Sequence, residues 1–141
     1  MKPVQANGFE ADPIYREHIL DHYKNPKNSG RLDNAEYFYD LNPLCGDEIE
    51  MFMQFSKEKI KDIKFISQGC AISQASASIL SEDMVKKSIG RPLAMNLKKM
   101  QSLLGIRVAP ARIKCMMLPL KVMKTIVYLH KGKKLEEIEH D

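Results

Sequence analysis

Two hydrophobic periods alternate along the chain, one near 3.6 residues and one of 2, and the places where they switch divide it into elements. Ile14, His18, Ile19, His22 and Tyr23 fall on one helical stripe, and Asp12-Pro13 supplies an N-cap aspartate with proline at the first helical position. This predicts a helix from Pro13 that stops before Asn25-Pro26, followed by a turn at Lys27-Asn28-Ser29-Gly30. The period then shortens. An aromatic-rich extended stretch covers residues 36–41, and residues 48–55 place Ile49, Met51, Met53 and Phe55 on one face. Residues 60–67 alternate Ile63 and Phe65 with Asp62 and Lys64, and the short Ser56-Lys57-Glu58-Lys59 link makes the last two stretches a hairpin. The result is a small antiparallel sheet with one wet face.

Helical spacing returns after Gly69. The Ala- and Ser-rich run that begins at Cys70 predicts a helix to about Ser88, able to approach the sheet closely, and Gly90-Arg91-Pro92 ends it. A further helix is expected over 92–104, with Leu93, Leu97, Met100 and Leu104 as its apolar side and Gly105 as its stop. Proline deep inside a helix forfeits a hydrogen bond, so a turn is expected around Cys115 and a last helix that begins at Pro119 or is kinked there. Residues 1–11 show no periodicity and are read as a flexible leader, and 131–141 as a frayed, charged tail. The pattern predicts a single α+β domain over 1–141, with three antiparallel strands and four to five helices.

Composition narrows the class. Hydrophobic residues at 44% and charged residues at 28% are those of an ordinary globular protein. A net charge of +4, with few aromatics among the lysines, argues against a nucleic-acid platform. No stretch has the apolar length of a membrane span and the N-terminus has no signal-peptide pattern, so a cytoplasmic protein is expected. Three cysteines, an odd number in a reducing compartment, point to metal or thiol chemistry instead of disulfides.

The cysteines stand at turns and helix starts. Cys45 and Asp47 share the turn Asn42-Pro43-Leu44-Cys45-Gly46-Asp47, where Pro43 biases Asn42 toward an extended conformation and Gly46 lets both side chains point one way. Cys70 falls near a predicted helix N-terminus, where unpaired N–H groups favour an anion. Cys115 follows Arg112 and Lys114, two cations expected to lower its thiol pKa. Three thiols and one carboxylate suit zinc and suit an iron–sulfur cluster less well, leaving one exchangeable corner. His18 and His22 share a helix face but have no third ligand with them and are read as packing residues, and His130 and His140 as solvated.

Four ordered motifs carry a resemblance that covers nearly the whole chain. They are Asp21-His22-Tyr23-Lys24-Asn25-Pro26-Lys27-Asn28-Ser29-Gly30, Asn42-Pro43-Leu44-Cys45-Gly46-Asp47, Gly69-Cys70-Ala71-Ile72-Ser73-Gln74-Ala75-Ser76-Ala77-Ser78 and Pro110-Ala111-Arg112-Ile113-Lys114-Cys115. The chain resembles the NifU N-terminal/IscU scaffold family of iron–sulfur cluster assembly, and within it the SufU-type branch, since Lys114 stands where IscU-type members have histidine. The resemblance implies an α+β fold with the ligand loops gathered at one end and metal or cluster positions at Cys45, Asp47, Cys70 and Cys115, supported by Gly46, Arg112 and Lys114.

It also implies zinc-dependent sulfur transfer, with Cys45 accepting persulfide sulfur from a SufS-like cysteine desulfurase. Recipient apo iron–sulfur proteins or a SufBCD-type scaffold would follow. The alternatives are a scaffold for a transient [2Fe–2S] cluster and a structural zinc module. Residues 90–110 are too short for the insertion that many SufU-type proteins carry, and Val108-Ala109-Pro110-Ala111-Arg112 differs from the Leu-Pro-Pro-Val-Lys chaperone site of IscU-type members, so no dedicated Hsp70 partner is expected.

Overall fold

The computed structural model describes residues 4–6 and 9–138, with side chains from Asp12 onward. Strands β1 (Val4–Ala6) and β2 (Phe9–Ala11) precede helix α1 (Pro13–Lys24), whose Asp12-Pro13 start is as the sequence predicts. Then come β3 (Glu36–Asn42), β4 (Asp47–Ser56) and β5 (Lys59–Gln68), an antiparallel sheet in that order. Helices α2 (Ala71–Met84), α3 (Gly90–Leu93) and α4 (Leu97–Leu104), the two-residue strand β6 (Arg107–Val108) and the long helix α5 (Ile113–His130) complete the order. The α+β expectation of a three-stranded antiparallel sheet packed with four to five helices holds, and a second small sheet, β1-β2-β6, is added to it.

Alternation along β4 sends Ile49, Met51 and Met53 inward, where they meet Ile63 and Phe65 of β5, all at most 2% exposed. Helices α2 and α5 cover this face, α1 packs against α2, and Ile19, Ile72, Leu80, Met116 and Met123 join the same core. The outer face is not uniformly wet. Phe52 is buried there beneath the Arg31 guanidinium, 5.6 Å from its ring centroid, and beside Tyr37.

Helix α2 is apolar and serine-rich on the same buried surface, and each serine ties it to another element. Ser76 Oγ donates to the Met116 carbonyl of α5 at 2.7 Å. Ser78 Oγ accepts the Lys27 N–H and pairs with His22 Nδ1, both at 2.7 Å, while Ser81 Oγ accepts from Asn28 Nδ2 and donates to the Ser78 carbonyl. These bonds explain how four hydroxyls are tolerated in a core: none of Ser73, Ser76, Ser78 and Ser81 is left unpaired. His22 is the packing residue that the sequence suggested, buried and set edge-on to His18.

Several local expectations are corrected. Helix α2 ends at Met84, short of Ser88, and the helix expected over 92–104 is two, because the Asn96 side chain accepts the Lys99 N–H and starts α4 afresh. Pro119 lies inside α5 and no turn surrounds Cys115: α5 runs from Ile113, and Pro119 itself is buried in the core face. The leader region holds β1 and β2, paired to each other, with β2 also paired to β6, through backbone bonds that leave no signature in side-chain periodicity. In the tail, Leu135–Glu137 form a 3-10 turn and Ile138 is buried, facing the same hollow as Leu97 and Leu120. His130 is exposed but partnered, stacking on Phe55 and meeting Glu36 Oε2 at 2.7 Å; His140 lies outside the described residues.

Burial, and after it the neighbouring His18, lowers the His22 pKa below its usual 6.5, against smaller opposing effects of Glu82 and Asp21. Protons therefore bind the unfolded chain first. The stability held by neutral His22 is present above the unfolded-state pKa and is lost as the pH falls from there through the lowered folded-state value. Denaturant unfolding at about pH 7.5 and 5.5 is expected to show a larger fall for the parent than for His22→Gln, whereas equal falls would contradict this assignment.

Candidate metal centre

The site begins with a hairpin. Asn42 and Asp47 face each other across the last rung of β3 and β4, and the four residues between them turn on the Asn42 carbonyl, which accepts the Cys45 and Gly46 N–H groups at 3.2 and 2.9 Å. Gly46 sits at φ +71°, a left-handed conformation that glycine adopts without strain. The turn leaves Cys45 exposed and Asp47 fully buried as the first residue of β4.

Asp47 meets the end of β5 and the start of α2. Its Oδ1 accepts the Cys70 N–H at 2.8 Å and the Ser73 hydroxyl at 3.2 Å, an arrangement suited to a carboxylate at the positive end of a helix. Gly69, at φ +141°, lets the chain pass this close: a Cβ there would overlap the Asp47 carboxyl group and Cα. The other oxygen, Oδ2, is buried with no hydrogen-bond partner among the described residues. A buried acceptor left open costs free energy unless something else fills it.

Cys115 closes the site from the first turn of α5 and is 0% exposed. Ligand atoms of Cys45, Asp47 and Cys115 lie within 4.8 Å of one another. Burial pushes the Cys115 thiol well above its usual pKa, and the neighbouring Asp47 and Cys45 add to the rise. This corrects the expectation that Arg112 and Lys114 would lower it. Lys114 is exposed on the outside of the helix, and Arg112, although it hydrogen-bonds the Cys115 sulfur and senses Cys70 and Cys45, is outweighed by burial.

Cys70 stands at the N-cap of α2, partly buried and outside the group of three, tied to Asp47 by its backbone N–H. It is close enough to influence Cys115 and Arg112, so the three sulfurs share one neighbourhood. Two soft thiols and a carboxylate oxygen within 4.8 Å of one another, with a third thiol beside them and one oxygen unsatisfied, are a donor set that fits zinc. Sequence reasoning passed over the Ser73 bond to Asp47 and the packing role of Gly69; the Ala- and Ser-rich run after Cys70 was the one signal of close approach.

The NifU-like N terminal domain family matches residues 14–137. The chain belongs to this family. It is 35% identical to the zinc-dependent sulfurtransferase SufU of Bacillus subtilis, covering 86% of this chain and 94% of that one. It is 32% identical to the iron–sulfur cluster assembly scaffold protein IscU of Streptococcus pyogenes, over 81% of this chain and 82% of the other. Among solved structures it is similar to a candidate iron–sulfur cluster assembly scaffold for the SUF system from Fervidobacterium islandicum, at TM-score 0.68 and 30% identity, covering 79% of this chain and 94% of that one. The resemblance in the four motifs thus extends through the fold.

Gly69→Ala tests the close approach. Strain and overlap against Asp47 are expected to cost about 2 kcal/mol in the metal-free protein, and metal affinity should fall as the carboxylate is displaced. Chelator-treated protein unfolded in urea gives the first quantity and a zinc titration the second; a variant matching the parent in both would contradict the packing described.

Proposed function

We propose that this protein serves iron–sulfur cluster assembly by accepting sulfur at a zinc site built from Cys45, Asp47, Cys70 and Cys115. The observation that carries the reading is the asymmetry of the site: one exposed thiol, Cys45, in contact with a buried thiol and a buried carboxylate that has an oxygen to spare. The B. subtilis relative, named a zinc-dependent sulfurtransferase, supports it. Bound zinc would hold the thiols deprotonated at neutral pH, which burial alone disfavours for Cys115.

The chain's own residues then divide the work. Cys45, on the exposed turn, attacks the terminal sulfur of a persulfide carried by a cysteine desulfurase. A new S–S bond forms at Cys45, the donor S–S bond breaks, and the desulfurase cysteine leaves as its thiolate, so no external oxidant or reductant is consumed. Asp47, Cys70 and Cys115 stay behind as anchors, with Arg112 offsetting negative charge among the sulfurs. Apo iron–sulfur proteins or a further assembly scaffold receive the sulfur.

A second reading keeps the site and changes the cargo. The IscU-named relative and the carboxylate among the donors favour a transient [2Fe–2S] cluster as substrate, with Asp47 as the weak donor that lets it leave.

Metal analysis of protein purified without added metal, together with a desulfurase assay, separates the two. About one zinc per chain is expected, largely lost in Cys70→Ser and Cys115→Ser, with desulfurase stimulation that Cys45→Ser abolishes. Little zinc, no stimulation and a coloured cluster on anaerobic addition of iron and sulfide would overturn sulfur acceptance in favour of the scaffold.

A further inference from the structure

Asn42 is buried to 7% exposure and has more to do in the site than start a turn. Its backbone carbonyl accepts the Cys45 and Gly46 N–H groups, and its side-chain Oδ1 accepts the Leu44 N–H at 3.3 Å. A backbone N–H can only donate, so this contact fixes which end of the carboxamide is oxygen and turns Nδ2 the other way. There Nδ2 points at the Cys115 sulfur, 3.9 Å away and 73 residues further along the chain. One residue therefore reaches both cysteines, Cys45 through its backbone carbonyl and the turn that its side chain braces at Leu44, and Cys115 through its side-chain amide.

We propose that Asn42 is a positioning residue that sorts the two thiols, holding Cys115 in the wall of the site while shaping the turn that presents Cys45 outward. This rests on the reading of Cys45 as the sulfur acceptor. An amide N–H directed at a sulfur draws electron density from it, making Cys115 a poorer nucleophile and a steadier anchor. Cys45, on the exposed turn, has its N–H engaged by Asn42 but no amide directed at its sulfur from that residue, and keeps its reactivity. If Cys45 takes up sulfur, the clamp on Cys115 is left intact, since it runs through the Asn42 side chain and not through the Cys45 sulfur.

Two substitutions separate the grips. In Asn42→Ser the hydroxyl can still accept the Leu44 N–H, as serine does in turns, but is too short to reach Cys115; Asn42→Ala loses both bonds. Zinc-loaded parent and variants, in which the metal holds the thiols deprotonated, are treated with limiting iodoacetamide, and labelling at Cys45 and Cys115 is read by peptide mass spectrometry. Zinc affinity is measured by chelator competition, and the cobalt-substituted proteins supply a thiolate-to-metal charge-transfer spectrum.

Both variants are expected to raise the Cys115 to Cys45 labelling ratio roughly tenfold, to weaken zinc 10–100-fold and to shift the cobalt band. A change confined to Asn42→Ala would assign the effect to the turn and overturn the proposal. Lowered stability of the metal-free variants with unchanged labelling, affinity and spectrum would overturn it too, as a merely structural role. A parent that binds no zinc would overturn the metal-site reading itself and the proposal with it, an outcome kept apart from the other two by the zinc affinity of the parent.

Discussion

The buried carboxylate of Asp47 is the constraint that organises the molecule. It opens β4, sits at the N-terminus of α2 and touches the first turn of α5, so three elements distant in sequence must converge for one side chain to be satisfied. Desolvating a carboxylate is expensive, and the Cys70 N–H and Ser73 hydroxyl offset that cost at one oxygen only. The second oxygen remains open in the interior. A fold that brings a charge inside and leaves half of it unsatisfied has traded stability for a binding function, a pattern common where proteins hold metals.

The rest of the architecture serves to hold that meeting point steady. Helix α2 carries its serines on the buried surface so that it can be fastened to α1, to the turn after it and to α5 by hydroxyl bonds instead of bulky packing. The close approach this allows brings Cys70 and Cys115 into the same neighbourhood from opposite sides. Burial then differentiates chemically identical groups: Cys115 has its pKa driven upward in the interior, whereas the hairpin turn carries Cys45 to the surface, as the proposed sulfur transfer requires. Accessibility and anchoring are thus divided between two sulfurs in contact.

Much of this was legible in the sequence because the signals were local. Asp12-Pro13 starts α1, the alternation over β4 and β5 gives the hairpin, and the Pro43 and Gly46 pair marks the turn that carries Cys45. What could not be read depends on tertiary context. Pro119 is accepted inside α5 because core packing around it outweighs the missing bond, and Asn96 splits one expected helix by capping. The sign of the Cys115 shift followed the same rule: neighbouring cations are visible in the text, but complete burial is a property of the fold. Asn42 was read only as the residue before a proline, because its reach to a sulfur 73 positions away has no local trace.

The central claim is that three sulfurs and one carboxylate oxygen gather at this point to bind a metal. X-ray absorption at the zinc edge counts them directly in the intact protein. The account predicts a shell of three sulfurs at about 2.3 Å and one oxygen at about 2.0–2.2 Å. A shell with fewer than three sulfurs, or one dominated by nitrogen and oxygen, would contradict it.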